Sequence, residues 1–274
     1  MTSTGSPSCR RSLATAVSNH PVSRDLKVLE VRLPGPLDFR PGQFAMLNFP
    51  GPHELVFGRP LSILAVQGDR VSFLYRVVGR GTAQLASLRS GEPVTFLGPL
   101  GTPFPAPGGR RPVVLLAGGV GLPPLLAWWQ RYGREQDHAF FGARDGGDVP
   151  WELLDPAWQI SVDRPAGLPA TRQAEVGLVT ETCRRRLGEP QAGAEPGLVQ
   201  ACGPLPMLRA ATTLAASWQW PCLVSVEEHM GCGYGVCRGC VLPGRDGSHL
   251  TACQDGPVLD SAVIDWESFG GEKT

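Results

Sequence analysis

The sequence has no apolar run approaching the ~20 residues that cross a bilayer as a helix. No secretory leader is expected, because Arg10 and Arg11 are followed only by the short apolar stretch Leu13 to Val17. It lacks excess charge of either sign, with 25 Lys and Arg against 25 Asp and Glu, so no binding to nucleic acid or to an acidic membrane surface is expected. It also lacks internal repeats and low-complexity tracts. The first dozen residues read as a ragged terminus. The expected setting is the cytoplasm, where thiols stay reduced unless they bind metal.

What is present is an ordinary globular composition, 42% hydrophobic and 18% charged over 274 residues, enough for two domains and an appendage. The 35 Gly and 27 Pro imply many turns. From Leu26 to Gly101 short alternating runs recur, with Leu29, Val31 and Leu33 in one and Val71, Phe73, Tyr75 and Val77 in another. Gln43–Phe49 and Val94–Leu97 add two more, and one helix is expected at Thr82–Leu88 with Thr82 as its N-cap. This pattern predicts an antiparallel barrel or sandwich. Residues 102–111 form a Pro/Gly-rich linker, after which the period changes. Apolar strands at Val113–Leu116, His138–Phe141, Gln159–Val162, Leu198–Ala201 and Leu223–Val226 alternate with helices at Pro123–Tyr132, Thr180–Leu187 and Pro204–Trp218. That alternation predicts a doubly wound parallel sheet. Residues 163–176 and 188–196 are expected to be loops.

Four of the eight cysteines crowd into the tail as Cys232-x4-Cys237-x2-Cys240-x12-Cys253. This spacing matches plant-type [2Fe–2S] ligation, in which three thiolates come from one tight loop and a fourth from a distance. Gly231, Gly233, Gly235 and Gly239 let amide groups approach the sulfurs. Structural zinc is the competing reading, but zinc usually takes two C-x2–4-C knuckles and only one short pair exists here. Cys9, Cys183 and Cys222 read as inert small apolar residues. Glu227, Glu228 and His229, just before the loop, read as a solvated edge.

Three further motifs suggest nucleotides. Arg59-Pro60-Leu61-Ser62 starts a strand; an arginine there can grip phosphate and a serine can hydrogen-bond a heteroaromatic ring. Tyr75-Arg76-Val77 leads to Gly79-Arg-Gly81-Thr82 at a helix start, an anion-binding geometry. Gly118-Gly119-Val-Gly121-Leu-Pro123 is a strand–turn–helix of the kind that cradles a pyrophosphate, with Pro123 near the first helical position.

Together these motifs resemble the ferredoxin–NADP reductase superfamily. The resemblance implies that Arg59, Pro60, Leu61, Ser62, Tyr75, Arg76, Val77, Gly79, Gly81 and Thr82 bind FAD, with Ser62 facing flavin N5. Leu61 stands where plant-type reductases often carry a stacking tyrosine. The resemblance also implies that Gly118, Gly119, Gly121 and Pro123 bind NAD(H), with Cys202, Gly203 and Pro204 beside the nicotinamide and Phe141–Asp145 helping with the adenosine half. A Ser/Arg/Tyr cluster for a 2′-phosphate is not evident, although Arg144, Arg164 and Arg172 are near, so NADH is expected over NADPH.

The cluster loop and the segment Cys253-Gln-Asp-Gly-Pro-Val-Leu-Asp260 narrow the resemblance to the electron-transfer subunits of class 1B dihydroorotate dehydrogenases. Tyr234 and Arg238 depart from the small or apolar residues usual there. The implied architecture is a Greek-key FAD barrel (13–101), a doubly wound α/β NAD domain (111–226) and a small [2Fe–2S] domain (227–270) whose ligands are Cys232, Cys237, Cys240 and Cys253. The implied function is electron transfer between NAD(H), FAD, the cluster and the FMN of a dihydroorotate dehydrogenase catalytic subunit, in a heterotetramer serving pyrimidine biosynthesis. No acid or base on this chain is required. A sister subunit of a hydrogenase or ferredoxin:NADP oxidoreductase shares the architecture. A zinc-stapled module without redox chemistry and a cluster-based sensor are the readings from other classes.

Overall fold

The computed structural model describes residues 9–48, 58–191, 193 and 195–270. Six strands come first: β1 (Arg10–Pro21), β2 (Leu26–Arg32), β3 (Phe44–Asn48), β4 (Arg59–Gln67), β5 (Arg70–Arg76) and, after helix α1 (Arg80–Ser87), β6 (Pro93–Leu100). They close into an antiparallel barrel in the order β1-β2-β5-β4-β3-β6. Its interior is filled by alternate side chains, among them Leu29, Val31, Leu47, Ile63, Phe73 and Phe96, all fully buried. Strand β1 already runs from Arg10, so residues expected to be ragged are paired, Arg10 opposite Gly98 and Ser12 opposite Phe96. Phe49, the end of an expected strand, lies outside the described residues.

The second layer is built on β7 (Val113–Gly118), α2 (Leu122–Tyr132), β8 (His138–Ala143), β9 (Trp158–Val162), β10 (Glu175–Val176), α3 (Val179–Leu187), β11 (Leu198–Cys202), α4 (Leu205–Ser217) and β12 (Cys222–Ser225). Every residue of β7 and β11 is buried, as a parallel strand covered on both faces requires. The sheet order is β10-β9-β8-β7-β11-β12, with β15 (Val258–Asp260) added at the edge beside β12. The pair Glu175–Val176 falls within the segment 163–176 expected to be loop, yet it adds a short parallel strand against Ser161 and Val162.

The tail carries β13 (Val241–Pro243), β14 (His249–Thr251) and β15 (Val258–Asp260). Strand β15 pairs antiparallel with β12, Val224 opposite Leu259, so the tail is sewn onto the nucleotide sheet. Helix α2 lies between the layers: Leu122, Leu125 and Trp128 pack in the sheet's core, while Ala127 belongs to the barrel's. Each fully buried leucine there contributes roughly 1.5–3 kcal/mol. The Trp128 indole donates to the Pro105 carbonyl at 2.7 Å, pinning the linker to the same helix.

Candidate functional site

Two clefts and one thiol loop meet where the barrel faces the C-terminal ends of β7, β11 and β12. One cleft, of about 380 Å³, is walled by Pro60, Leu61, Ser62, Leu74, Tyr75 and Arg76 from the barrel, with Val78 and Thr82 at the start of α1. Helix α1 begins at Arg80 with Gly79 as its N-cap. Thr82, expected to be the cap, sits at the third helical position, where its hydroxyl accepts from the Val78 and Gly79 amides at 2.8 and 3.0 Å. Gly79 has no side chain with which to cap, and Thr82 satisfies these amides from inside the helix. The Arg59 guanidinium lies across Gly81, whose Cα leaves no room for a β carbon.

The Ser62 hydroxyl makes no hydrogen bond to protein among the described residues, which leaves it available in the cleft. Tyr75 is different: its hydroxyl donates to Asn19 at 2.7 Å, and Asn19 in turn donates to the Leu85 carbonyl. Burial pushes this phenol up to about 12 despite the Asn19 contact, so Tyr75 braces α1 against the barrel. Val77 is not in the cleft wall; it is 42% exposed, and Val78 takes the place expected for it.

The second cleft, of about 490 Å³, opens at the ends of the parallel strands and is lined by Gly118, Gly119, Gly203, Pro204 and Met207. Gly119 adopts φ +53°, the left-handed region that favours glycine. Gly121 serves packing instead. A β carbon there would overlap the Cys202 carbonyl, so this glycine lets the turn before α2 sit close on the end of β11, and it is absent from the cleft wall. Pro123 is buried in the first turn of α2. Cys202 lines the first cleft, not the second. Burial and the Glu227 carboxylate raise its thiol well above the usual range while Ser225 opposes them, which disqualifies it as a nucleophile.

Arg76, Val120 and Glu227 line both clefts. Glu227 and His229 are exposed and Glu228 half-buried, in keeping with the expected solvated edge, yet Glu227 also lines both clefts and Glu228 the first. Glu227 is exposed to solvent in the open clefts it lines. Desolvation raises its carboxyl and Arg76 opposes the rise, with the cleft's water damping both. No local sequence signal distinguishes Glu227; its placement follows from β12 ending beside the barrel.

The thiol loop abuts the first cleft. Met230 lines the cleft, and a β carbon at Gly233 would meet Met46 in the barrel. Gly233 and Gly235 have φ of +83° and +89°. The four clustered thiols fall into two pairs: Cys240 lies 3.2 Å from Cys253, sulfur to sulfur, and Cys232 is hydrogen-bonded to Cys237. The Gly235 amide donates to Cys253 at 3.2 Å, and the Tyr234 and Cys237 amides donate to Cys232 at 3.5 and 3.4 Å. Although burial opposes it, these amides and the Cys237 thiol hold Cys232 down, to about 6. Desolvation and Cys240 push Cys253 up to about 12. Among the described residues no three of these thiols come together as a ready site for a single metal ion; two thiol pairs with amides aimed at sulfur would suit a two-iron cluster better than a tetrahedral zinc. Cys183 and Cys222 are buried with thiols pushed up to about 12, as inert core residues should be.

A family model described as the iron–sulfur cluster binding domain of dihydroorotate dehydrogenase B matches residues 227–265. The chain is 34% identical over 236 residues to the dihydroorotate dehydrogenase B (NAD(+)) electron transfer subunit of Bacillus caldolyticus, an alignment covering 82% of this chain and 86% of the relative. It is 30% identical over 222 residues to the same subunit of Caldanaerobacter subterraneus subsp. tengcongensis, covering 80% and 84%. The chain belongs to the family of dihydroorotate dehydrogenase B electron transfer subunits. FAD, a [2Fe–2S] cluster and NAD(H), the cofactors expected from the sequence, suit this family and the clefts and thiols just described. The fold is also that of a solved NADH-dependent reduced ferredoxin-NADP oxidoreductase, with TM-score 0.76 at 22% identity over 98% of this chain and 93% of that one. The ferredoxin reductase of carbazole 1,9a-dioxygenase shares it at TM-score 0.66 and 23% identity, over 78% and 67%. These likenesses concern fold alone.

Proposed function

We propose that this chain relays electrons between NAD(H) and the FMN of a dihydroorotate dehydrogenase catalytic subunit, in a cytoplasmic heterotetramer serving pyrimidine synthesis. The observation that carries the reading is the junction: the two clefts share Arg76, Val120 and Glu227, and the first cleft reaches the thiol loop at Met230. Donor, carrier and cluster would then sit in sequence along one side of the chain. When bound, the flavin and the cluster supply the conversion of a two-electron donor into single electrons. The chain positions and encloses them.

In this reading the barrel (13–101) holds FAD. Arg59 and the start of α1 with Gly79, Gly81 and Thr82 take its pyrophosphate, and Ser62 presents its hydroxyl to flavin N5. Pro60, Leu61, Leu74 and Arg76 wall the ring; Leu61 covers one face with aliphatic surface. The sheet domain (111–226) holds NAD(H), with Gly118 and Gly119 under the pyrophosphate, Gly203 and Pro204 beside the nicotinamide, and Cys202 closing the junction as a small apolar wall. Gly121 and Pro123 act indirectly, by shaping the turn. Cys232, Cys237, Cys240 and Cys253 ligate the cluster in the tail (227–270). Among the described residues no helix is long and apolar enough to cross a membrane.

NADH is preferred over NADPH in this reading. The cleft's outer end carries Asp163, which makes no ion pair among the described residues. A carboxylate there accepts hydrogen bonds from a ribose diol and repels a 2′-phosphate.

The test is an anaerobic titration of the purified chain with NADH, followed by absorbance and low-temperature EPR. Flavin bleaching with a rhombic [2Fe–2S]⁺ signal is expected, together with dihydroorotate oxidation once the catalytic subunit is added. A colourless protein containing zinc and no flavin overturns the reading.

A further inference from the structure

The outer end of the nucleotide cleft is edged by Arg144 and Asp148, which follow β8, and by Asp163, which follows β9. An arginine in this position is chemically suited to a phosphate. Arg144 is already engaged. Its Nη2 donates to Asp25 Oδ2 at 2.9 Å and its Nε to Asp148 Oδ2 at 3.1 Å, so two edges of the guanidinium are held by carboxylates. The neighbouring arginines are engaged too: Arg164 pairs with Asp145 at 3.1 Å, and Arg24 binds Asp145 at 2.8 Å and Asp148 at 3.4 Å. Three arginines meet three aspartates and the cluster's charge cancels. Asp163 is left as the uncompensated charge at this end.

The partners of Arg144 differ in origin. Asp148 lies on the same segment as Arg144 and is buried, so it travels with it. Asp25 comes from the β1–β2 connection of the barrel, 119 residues away in sequence, and its side chain is 35% exposed. We propose that Asp25 is a specificity-determining residue: from the flavin domain it holds Arg144 away from the adenosine ribose and so keeps the nucleotide domain selective against a 2′-phosphate. This rests on the NADH reading above and deepens it. Without the Asp25 charge the cluster gains one net positive charge, and the Arg144 guanidinium has an edge free. Arg144 is 59% exposed and already lines the cleft. A phosphate dianion then finds a partner that offsets Asp163. A ribose diol, which carries no charge, gains nothing.

The experiment measures binding of 5′-AMP and of 2′,5′-ADP to the cofactor-loaded chain by isothermal calorimetry. It compares wild type with Asp25→Asn, Asp25→Ala and the double variant Asp25→Asn/Arg144→Gln, each checked for an unchanged melting curve. Either Asp25 replacement is expected to tighten 2′,5′-ADP by about fivefold or more and to move 5′-AMP by less than about twofold. The double variant is expected to lose the gain, and added salt to shrink it. Unchanged 2′,5′-ADP affinity in both Asp25 variants, with normal 5′-AMP binding, overturns the role of Asp25 and leaves the NADH reading standing. A gain that survives in the double variant overturns the role of Arg144. Failure of wild type to bind 5′-AMP at all overturns the nucleotide reading beneath both.

Discussion

The Arg59 guanidinium rests directly on the Cα of Gly81, so that a β carbon at Gly81 would occupy the same space as Nε, Cζ and Nη2. This contact joins the first residue of β4 to the first turn of α1, the two elements assigned to the FAD pyrophosphate. The obstructing atoms are the far end of a flexible side chain, so Gly81→Ala displaces the arginine without unfolding the barrel. The expected result is a native circular dichroism spectrum with FAD affinity weakened by about tenfold, the scale of one charge-assisted phosphate contact. The flavin-to-protein ratio after dialysis reads it. Full flavin retention would show that Arg59 is not a phosphate ligand.

Gly121 behaves oppositely. Its missing side chain faces the Cys202 carbonyl and the Gly203 amide, backbone atoms of the neighbouring strand that cannot rotate away. Gly121→Ala is expected to cost about 2–4 kcal/mol of stability, through overpacking between the turn before α2 and the end of β11. Denaturant unfolding measures this. Gly79, with nothing near its hypothetical β carbon, supplies the control: Gly79→Ala should cost under about 1 kcal/mol, the scale of a cap change.

These two glycines illustrate what the sequence made legible. Covalent and backbone constraints are written locally, so the Cys spacing, the Gly-rich turns and the all-apolar β7 were readable as motifs. Tertiary placement was not. The N-terminal part of β1 escaped because its large apolar residue, Leu13, is 68% exposed while the small Ala14 and Ala16 fill the core, an inversion of the usual alternation. Strands β10 and β15 are two and three residues long, too short for any period to register. Glu227 looked like one of three polar residues on an edge. It lines both clefts because β12 stops beside the barrel, a fact of topology. Arg144 and Asp25 could not be linked by any local pattern.

The cluster thiols differ sharply once metal is removed. In the stripped chain Cys232 is held down to about 6 by amide donors, with burial opposing them, whereas desolvation and Cys240 push Cys253 up to about 12. At pH 7 the first is mostly thiolate and the second a thiol, and the thiolate is the nucleophile. Brief iodoacetamide treatment, read by peptide mass spectrometry, is expected to label Cys232 well before Cys253. Cys183 and Cys222, also near 12, should react only on unfolding. Equal rates at Cys232 and Cys253 would contradict the amide arrangement around the loop.

Acid should loosen the contact between barrel and sheet. Arg24 grips buried Asp145 with two hydrogen bonds, of 2.8 and 3.2 Å, and its own amide donates to the Gly147 carbonyl at 2.9 Å. The Arg24 side chain, with help from the Gly147 amide and Arg164, holds the Asp145 carboxyl below its ordinary value. A depressed folded-state value stabilises the native protein at pH values above the unfolded carboxylate's, and that stabilisation disappears as pH falls through the folded-state value. Arg24→Gln removes the charge that lowers Asp145. The variant is therefore expected to melt below wild type at pH 7, and the gap between them to close from about pH 4 downward. Paired melting curves across this range measure it. A gap that stays constant from pH 7 to acid would mean that the Arg24 side chain acts through packing that does not depend on charge, and that the carboxylate pair adds nothing to holding the two layers together.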